Sequence, residues 1–334
     1  LNSIINIGTP GQSMDVRFDS AFNGVTVQST MEDPLPVTGV VFNQTESTSF
    51  ESSADNYYYE FGDGSWVEVV FASDTIDIGG VDFTDIPFGR LNYHQEIGRS
   101  LPFGGGSSVI GLNLNPNQGL AKKPSFMYAI KSQLKEWTCM FDSSREWRNG
   151  TVKFGEVSPA DYSGDIAWAG RVIDDDETWA INLTAISAGS RTDPPIKSWS
   201  VAISTADISL QWPQKLLDWY FSGINGATWS SYDNTYRYPC NSVLPDFVFG
   251  LGNGTFTIPG VYMPYQRDSS GETCVTLLTG DNSTDPKHLY SFGTWWSQLG
   301  VLILDYQNAQ VGFANKKNPL PIFSLPLLEE IDFV

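Results

Sequence analysis

Apolar residues in this chain alternate with polar ones in short runs and seldom recur at helical intervals. Met14, Val16 and Phe18 stand two apart, and Val67, Val69 and Phe71 repeat that spacing, as half-buried strands require. Turn residues break up these runs throughout: 31 Gly and 19 Pro are dense enough to predict an all-β chain. Two stretches depart from the pattern. Phe126, Ile130 and Leu134 lie at i, i+4 and i+8, predicting a short amphipathic helix over 124–134. Leu217, Tyr220, Phe221 and Ile224 lie at i, i+3, i+4 and i+7, predicting a second helix over 213–224.

At 334 residues the chain is long enough for two hydrophobic cores. A hydrophobic content of 41% with 13% aromatic residues argues against disorder. Charge narrows the partners. Nineteen basic against 38 acidic residues leave a net charge of −19, which repels nucleic acid and anionic membranes. No apolar run approaches the length of a membrane span. The two histidines, His94 and His288, have no neighbours that suggest a catalytic triad. No Cys/His set has metal-ligand spacing, so neither metal nor cofactor is expected. Gly104-Gly105-Gly106 lacks the lysine and helix of a phosphate loop.

Motifs give the chain a family likeness. Ile5-Asn6-Ile7-Gly8-Thr9-Pro10-Gly11-Gln12 leads into Phe18-Asp19-Ser20-Ala21-Phe22-Asn23. Later stretches are Asp74-Thr75-Ile76-Asp77-Ile78-Gly79-Gly80, Val109-Ile110-Gly111-Leu112, and Ala202-Ile203-Ser204-Thr205-Ala206-Asp207-Ile208-Ser209-Leu210. In order and spacing these resemble pepsin-like aspartic proteases over about residues 4–315. The resemblance implies an all-β, bilobal pepsin-like fold with pseudo-twofold lobes, an interlobe cleft and a flap hairpin. The expected division is an N-terminal lobe over 1–172, a C-terminal lobe over 173–315 and an extension over 316–334. Ninety-two residues separate Asp19 from Gly111 and 88 separate Thr205 from Gly293, as two lobes on one plan require.

The resemblance also says where the chemistry should be. Its first loop, Asp-Thr-Gly-Ser-Ser, keeps the aspartate as Asp19 and changes the residues after it, with Phe22 in place of a serine. In the second loop, counting back from Ser209-Leu210 puts Thr205 where the second catalytic aspartate belongs, followed by Ala206 and Asp207. The flap turn corresponds to Phe61, Asp63, Gly64 and Ser65, with Phe61 in place of the family's tyrosine and Trp66 beside it. Cys240 and Cys274 match the family's C-lobe disulfide, while Cys139 sits in an apolar run as a buried thiol.

Aspartic proteolysis uses two carboxylates about 3 Å apart sharing a proton. Without the second, the expectation is a pseudoenzyme that binds a peptide, a polysaccharide or a secreted hydrolase through its cleft or loops. The alternatives are a carbohydrate-acting hydrolase using Asp19 and Asp207, or a weak residual aspartic endopeptidase. Glycosidase carboxylates stand about 5–9.5 Å apart, and Trp66 and Trp212 would suit stacking on sugars. On the bland reading these tryptophans belong to the core and Asp207 caps a loop. Sequons at Asn43, Asn149, Asn182, Asn253 and Asn282, with the cysteine pair, point to a secreted, extracellular, N-glycosylated monomer whose upstream leader is removed.

Overall fold

The computed structural model describes residues 2–30, 40–60, 66–95, 108–118, 123–144, 149–172, 177–317 and 328–330. The chain forms two compact, mostly β units, Leu1–Leu134 and Lys135–Val334. Strands of the first unit are β1 (Asn2–Ile7), β2 (Gln12–Asp19), β3 (Val25–Val27), β4 (Glu51–Glu60), β5 (Trp66–Ile78), β6 (Val81–Gln95), β7 (Ser108–Gly111), β8 (Asn117–Gln118) and β9 (Lys123–Pro124). The second unit opens with β10 (Thr138–Ser144), β11 (Asn149–Phe154), β12 (Tyr162–Gly170), β13 (Ala180–Ala188), β14 (Ser198–Ile203) and β15 (Leu210–Pro213). It continues with β16 (Thr228–Ser230), β17 (Thr235–Pro239), β18 (Phe247–Leu251), β19 (Gly254–Ile258), β20 (Pro264–Arg267) and β21 (Thr273–Thr276). The last strands are β22 (Leu278–Asp281), β23 (Tyr290–Phe292), β24 (Gly300–Asp305), β25 (Gln310–Lys316) and β26 (Leu328–Glu330).

In the first unit seven strands form one sheet in the order β1-β2-β7-β3-β6-β5-β4. The alternation read from the sequence is its inward face. Met14, Val16 and Phe18 of β2 are buried, and Val67, Val69 and Phe71 of β5 join Leu91 and Val109 in one cluster. Phe22 and Tyr57 pack against that cluster, so the first loop rests on the underside of the β4–β5 hairpin.

The second unit holds sheets ordered β11-β10-β24-β25-β12, β19-β18-β13-β14-β23-β15-β22 and β16-β17-β21-β20-β26. The two units meet in the chain at Leu134 and Lys135. Strands β10–β12 group with the second unit because β10 pairs with β24 and β12 with β25. Of the expected extension, β26 runs parallel to β20.

Both predicted helices form, and both are shorter than their periodicity. The first is a single turn, α1 (Phe126–Ala129), followed by a 3-10 turn at Lys131–Gln133. The second, α2 (Gln214–Phe221), buries Leu217, Tyr220 and Phe221 against the sheet and ends before Ile224. A third, α3 (Thr294–Ser297), follows β23.

Cys240 and Cys274 form a disulfide linking the end of β17 to β21. Cys139 is fully buried, and burial pushes its thiol pKa up. The bridge closes a loop of 34 residues, which restricts the unfolded chain. Replacing both cysteines by alanine should cost about 2–4 kcal/mol, read as a lower urea midpoint with a steeper slope, because the unbridged unfolded chain exposes more surface.

Candidate functional site

The first loop leaves β2 at Asp19 and returns through β3. Strand β7 lies between these two strands and aligns Asp19 with Gly111 in parallel and Val25 with Ile110 in antiparallel. Gly111 N–H donates to the Gly24 carbonyl at 2.6 Å, and Leu112 N–H to the Asp19 carbonyl at 2.8 Å. A Cβ at Gly111 would collide with the carbonyl oxygens of Phe22 and Gly24. Only glycine lets the loop backbone come this close.

The second loop repeats the arrangement within its own unit. Strand β23 aligns Phe292 with Ile203 in parallel and with Leu210 in antiparallel. Gly293 N–H donates to the Ser209 carbonyl at 2.8 Å, and Thr294 N–H to the Asp207 carbonyl at 2.7 Å. A Cβ at Gly293 would meet the carbonyl oxygens of Asp207 and Ser209 at 2.5 Å.

These matches give the correspondence between loops, and it differs by one residue from the count along the sequence. Gly24 and Val25 follow Asp19 by the same intervals at which Ser209 and Leu210 follow Ser204. Extending the β14–β23 register one step past Ile203 sets Ser204 beside Gly293, as Asp19 stands beside Gly111. By this register Ser204 stands in its loop where Asp19 stands in the first, one residue before the Thr205 expected from the count. The count is anchored on Ser209-Leu210, whereas the strand pairing sets Ser209 at the position of Gly24. A signal in the chain itself marks the frame: Phe18-Asp19-Ser20-Ala21 parallels Ile203-Ser204-Thr205-Ala206.

Burial agrees with this frame. Ser20 and Thr205, now equivalent, are 1% and 2% exposed. Asp19 accepts the Ala21 N–H on Oδ1 at 2.9 Å, and Ser204 Oγ accepts the Asp207 N–H at 3.0 Å. Both loops thus turn an amide onto the side chain at this position. Asp19 is only 7% exposed, and burial raises its pKa against the opposing pull of the Ala21 N–H and the Arg17 charge.

Asp207 is engaged by its own loop and by β23. Its Oδ1 accepts the Ser209 N–H at 2.9 Å, and its Oδ2 accepts the Ser209 and Ser291 hydroxyls at 2.7 and 2.6 Å. Trp212 is 0% exposed and packs on Phe247 at 4.2 Å between ring centroids, so it is a core residue with no face for a ligand. Trp66 stacks between Tyr58 and Tyr93, at 4.6 and 5.1 Å. Phe61, Asp63, Gly64 and Ser65 lie outside the described residues. Among the sequons, Asn182, Asn253 and Asn282 are exposed, while the half-buried Asn43 donates its amide to Glu46 and accepts from the Thr45 hydroxyl. Asn149 begins β11. Among the described residues no three or more His, Cys, Asp or Glu side chains cluster to hold a metal, and no helix is long and apolar enough to cross a membrane.

Two measurements check this site. Thr205→Asp would bury an unpaired carboxylate and should destabilise the protein by about 3 kcal/mol or more. Ser204→Asp, at the half-buried position that receives an amide, should cost markedly less by chemical denaturation. The second concerns Asp19. A raised folded-state pKa means that the native state binds more protons than the unfolded one between the ordinary and the raised value. Its contribution is therefore complete below the ordinary carboxylate pKa and is lost as pH rises through the raised one. Asp19→Asn should melt above the parent at neutral pH, the gap closing as pH falls to the ordinary value.

Comparison with known proteins agrees with this architecture. A family model described as "Eukaryotic aspartyl protease" matches residues 2–316. An acid protease of Saccharomycopsis fibuligera is 25% identical over 94% of this chain and 80% of its own length. Penicillopepsin-1 of Penicillium janthinellum is 24% identical over 91% and 92%. Pregnancy-associated glycoprotein 1 of Bos taurus is 26% identical over 93% and 80%. With two sheet-crossing glycines, two matched loops and this span of similarity, the chain belongs to the eukaryotic aspartyl protease family.

Proposed function

We propose that this chain is a non-catalytic member of its family that works by binding. The observation that supports the reading is the strand register: extended one step past Ile203, it sets the Ser204 hydroxyl where the first loop has Asp19. Aspartic proteolysis depends on a like-charged neighbour that keeps one proton shared between two carboxylates, so that one activates water while the other donates. A serine hydroxyl, with an ordinary pKa far above any carboxylate, neither takes the water's proton nor shares one. Removing one member of such a unit costs about four orders of magnitude or more. Phe22, in place of a small hydroxyl residue, packs on the cluster of Val67, Val69 and Phe71 and brings no hydroxyl to the loop.

The carbohydrate-hydrolase alternative has less support. Its second acid would be Asp207, whose carboxylate takes two hydrogen bonds from Ser209 of its own loop and one from Ser291 of β23, the arrangement of a loop cap. Residual endopeptidase activity has only Asp19 to work with. The partner classes that suit the binding reading are a peptide, a polysaccharide or a secreted hydrolase, met through the family's expected cleft or through the loops. Extracellular, N-glycosylated, monomeric operation completes the proposal, supported by the disulfide, the exposed sequons and the net charge of −19.

The test is direct. Purified protein incubated with casein or haemoglobin at acid pH should release no pepstatin-sensitive fragments, with an active family member run in parallel. Pepstatin-sensitive cleavage by the unmodified chain, abolished in Asp19→Asn, would sink the proposal.

A further inference from the structure

An open cavity of about 570 Å³ lies on the second unit, on one face of the β16–β17–β21 array. The strand register explains its lining. Thr228 pairs with Arg237, and Pro239 with Thr273. Side chains alternate along a strand, so these four share a face. Tyr236 and Tyr238 turn their rings the other way, onto Phe221, although Tyr238 also borders the cavity. Exposed Glu272 and Asn241 complete the cavity at its rim. The Cys240–Cys274 disulfide clamps β17 to β21. Gly271, at φ +74°, has nothing within 4 Å of where a Cβ would stand, which leaves the edge open.

The lining has a distinct chemistry for this chain. Its charges are one guanidinium and one carboxylate, in a protein whose net charge is −19. The guanidinium is held in place: Arg237 Nη2 and Nε donate to Asp233 Oδ2 at 2.8 and 3.3 Å. Around the two charges stand two threonine hydroxyls, an amide and a proline ring. Anions are repelled by the chain as a whole, and a cation would meet Arg237. Neutral hydroxyl groups satisfy every partner, since they accept from guanidinium and amide, donate to carboxylate, and do either with threonine. The Pro239 ring offers the apolar patch that the C–H face of a pyranose needs. The volume lies within the range of small-ligand sites.

We propose that this cavity is a saccharide-binding site. It lies on strands that carry neither loop of the candidate site, and it does not rest on the proposed loss of catalysis, so either reading can fail alone. The experiment is ligand-observed NMR on the intact protein with maltose, cellobiose and chitobiose at millimolar concentration, and with glycylglycine as a zwitterionic comparison. At least one disaccharide should bind. Glu272→Ala should weaken it about tenfold, the effect of one lost charged hydrogen bond. Thr228→Trp, at an exposed strand position, should fill the cavity and abolish binding with the melting temperature unchanged. Absence of disaccharide binding, binding indifferent to both variants, or preference for glycylglycine would each overturn the assignment.

Discussion

A strand passes so close to each loop, at Gly111 and again at Gly293, that a Cβ there would strike the loop's carbonyl oxygens. That approach organises both halves of the molecule. It lets Gly111 and Gly293 donate their amides to Gly24 and Ser209, tying each loop to the strand that crosses it. The loop conformation therefore depends on backbone contacts at fixed intervals from the glycine. Beyond needing an acceptor, it does not depend on which side chain stands at the head of the loop. Chemistry can change there while the frame persists.

Electrostatics then distinguishes the two heads. Asp19 is buried deeply enough that desolvation outweighs the Ala21 amide and the Arg17 charge, leaving its carboxyl easier to protonate than an exposed one. In a proton-sharing pair, a second carboxylate would reinforce that shift. Ser204 brings no charge and turns a hydroxyl oxygen to the Asp207 amide. On the proposed reading, Asp19 is left as a single, partly desolvated acid, suited to hydrogen-bonding a ligand and unsuited to activating water.

Much of the fold was legible in the residues because period-two alternation has a direct physical cause. Met14, Val16 and Phe18 alternate because one face of β2 is buried, and they are buried where expected. The cysteine pair was equally legible, through the family likeness. The helices were overestimated: α2 stops before Ile224 because apolar spacing continues past the point where the backbone leaves the helix. Strands β10 and β12 pair with β24 and β25, at least 140 residues onward, and pairing at such range leaves no local trace in the sequence. Trp212 shows the limit for sites. Composition offers a tryptophan beside a loop, and only packing tells that Phe247, Tyr220 and Trp199 surround it.

At Thr205 the count along the chain and the strand register part by one residue. Ser-Leu at 209–210 imitates a familiar ending, yet strand pairing assigns Leu210 the role of Val25. Once the frame is set by the glycines, the substitutions become intelligible together. Ser20 and Thr205 are small, buried and hydroxyl-bearing in both loops, so the positions that brace the backbone have kept their chemistry. Ser204 still accepts the Asp207 amide, as Asp19 accepts the Ala21 amide. Asp207, where the first loop has Phe22, collects the Ser209 and Ser291 hydroxyls and ties its loop to β23. What the fold requires of the second loop is an acceptor at its head and a brace behind it, and a serine with a nearby aspartate meets both needs without an acid at the head.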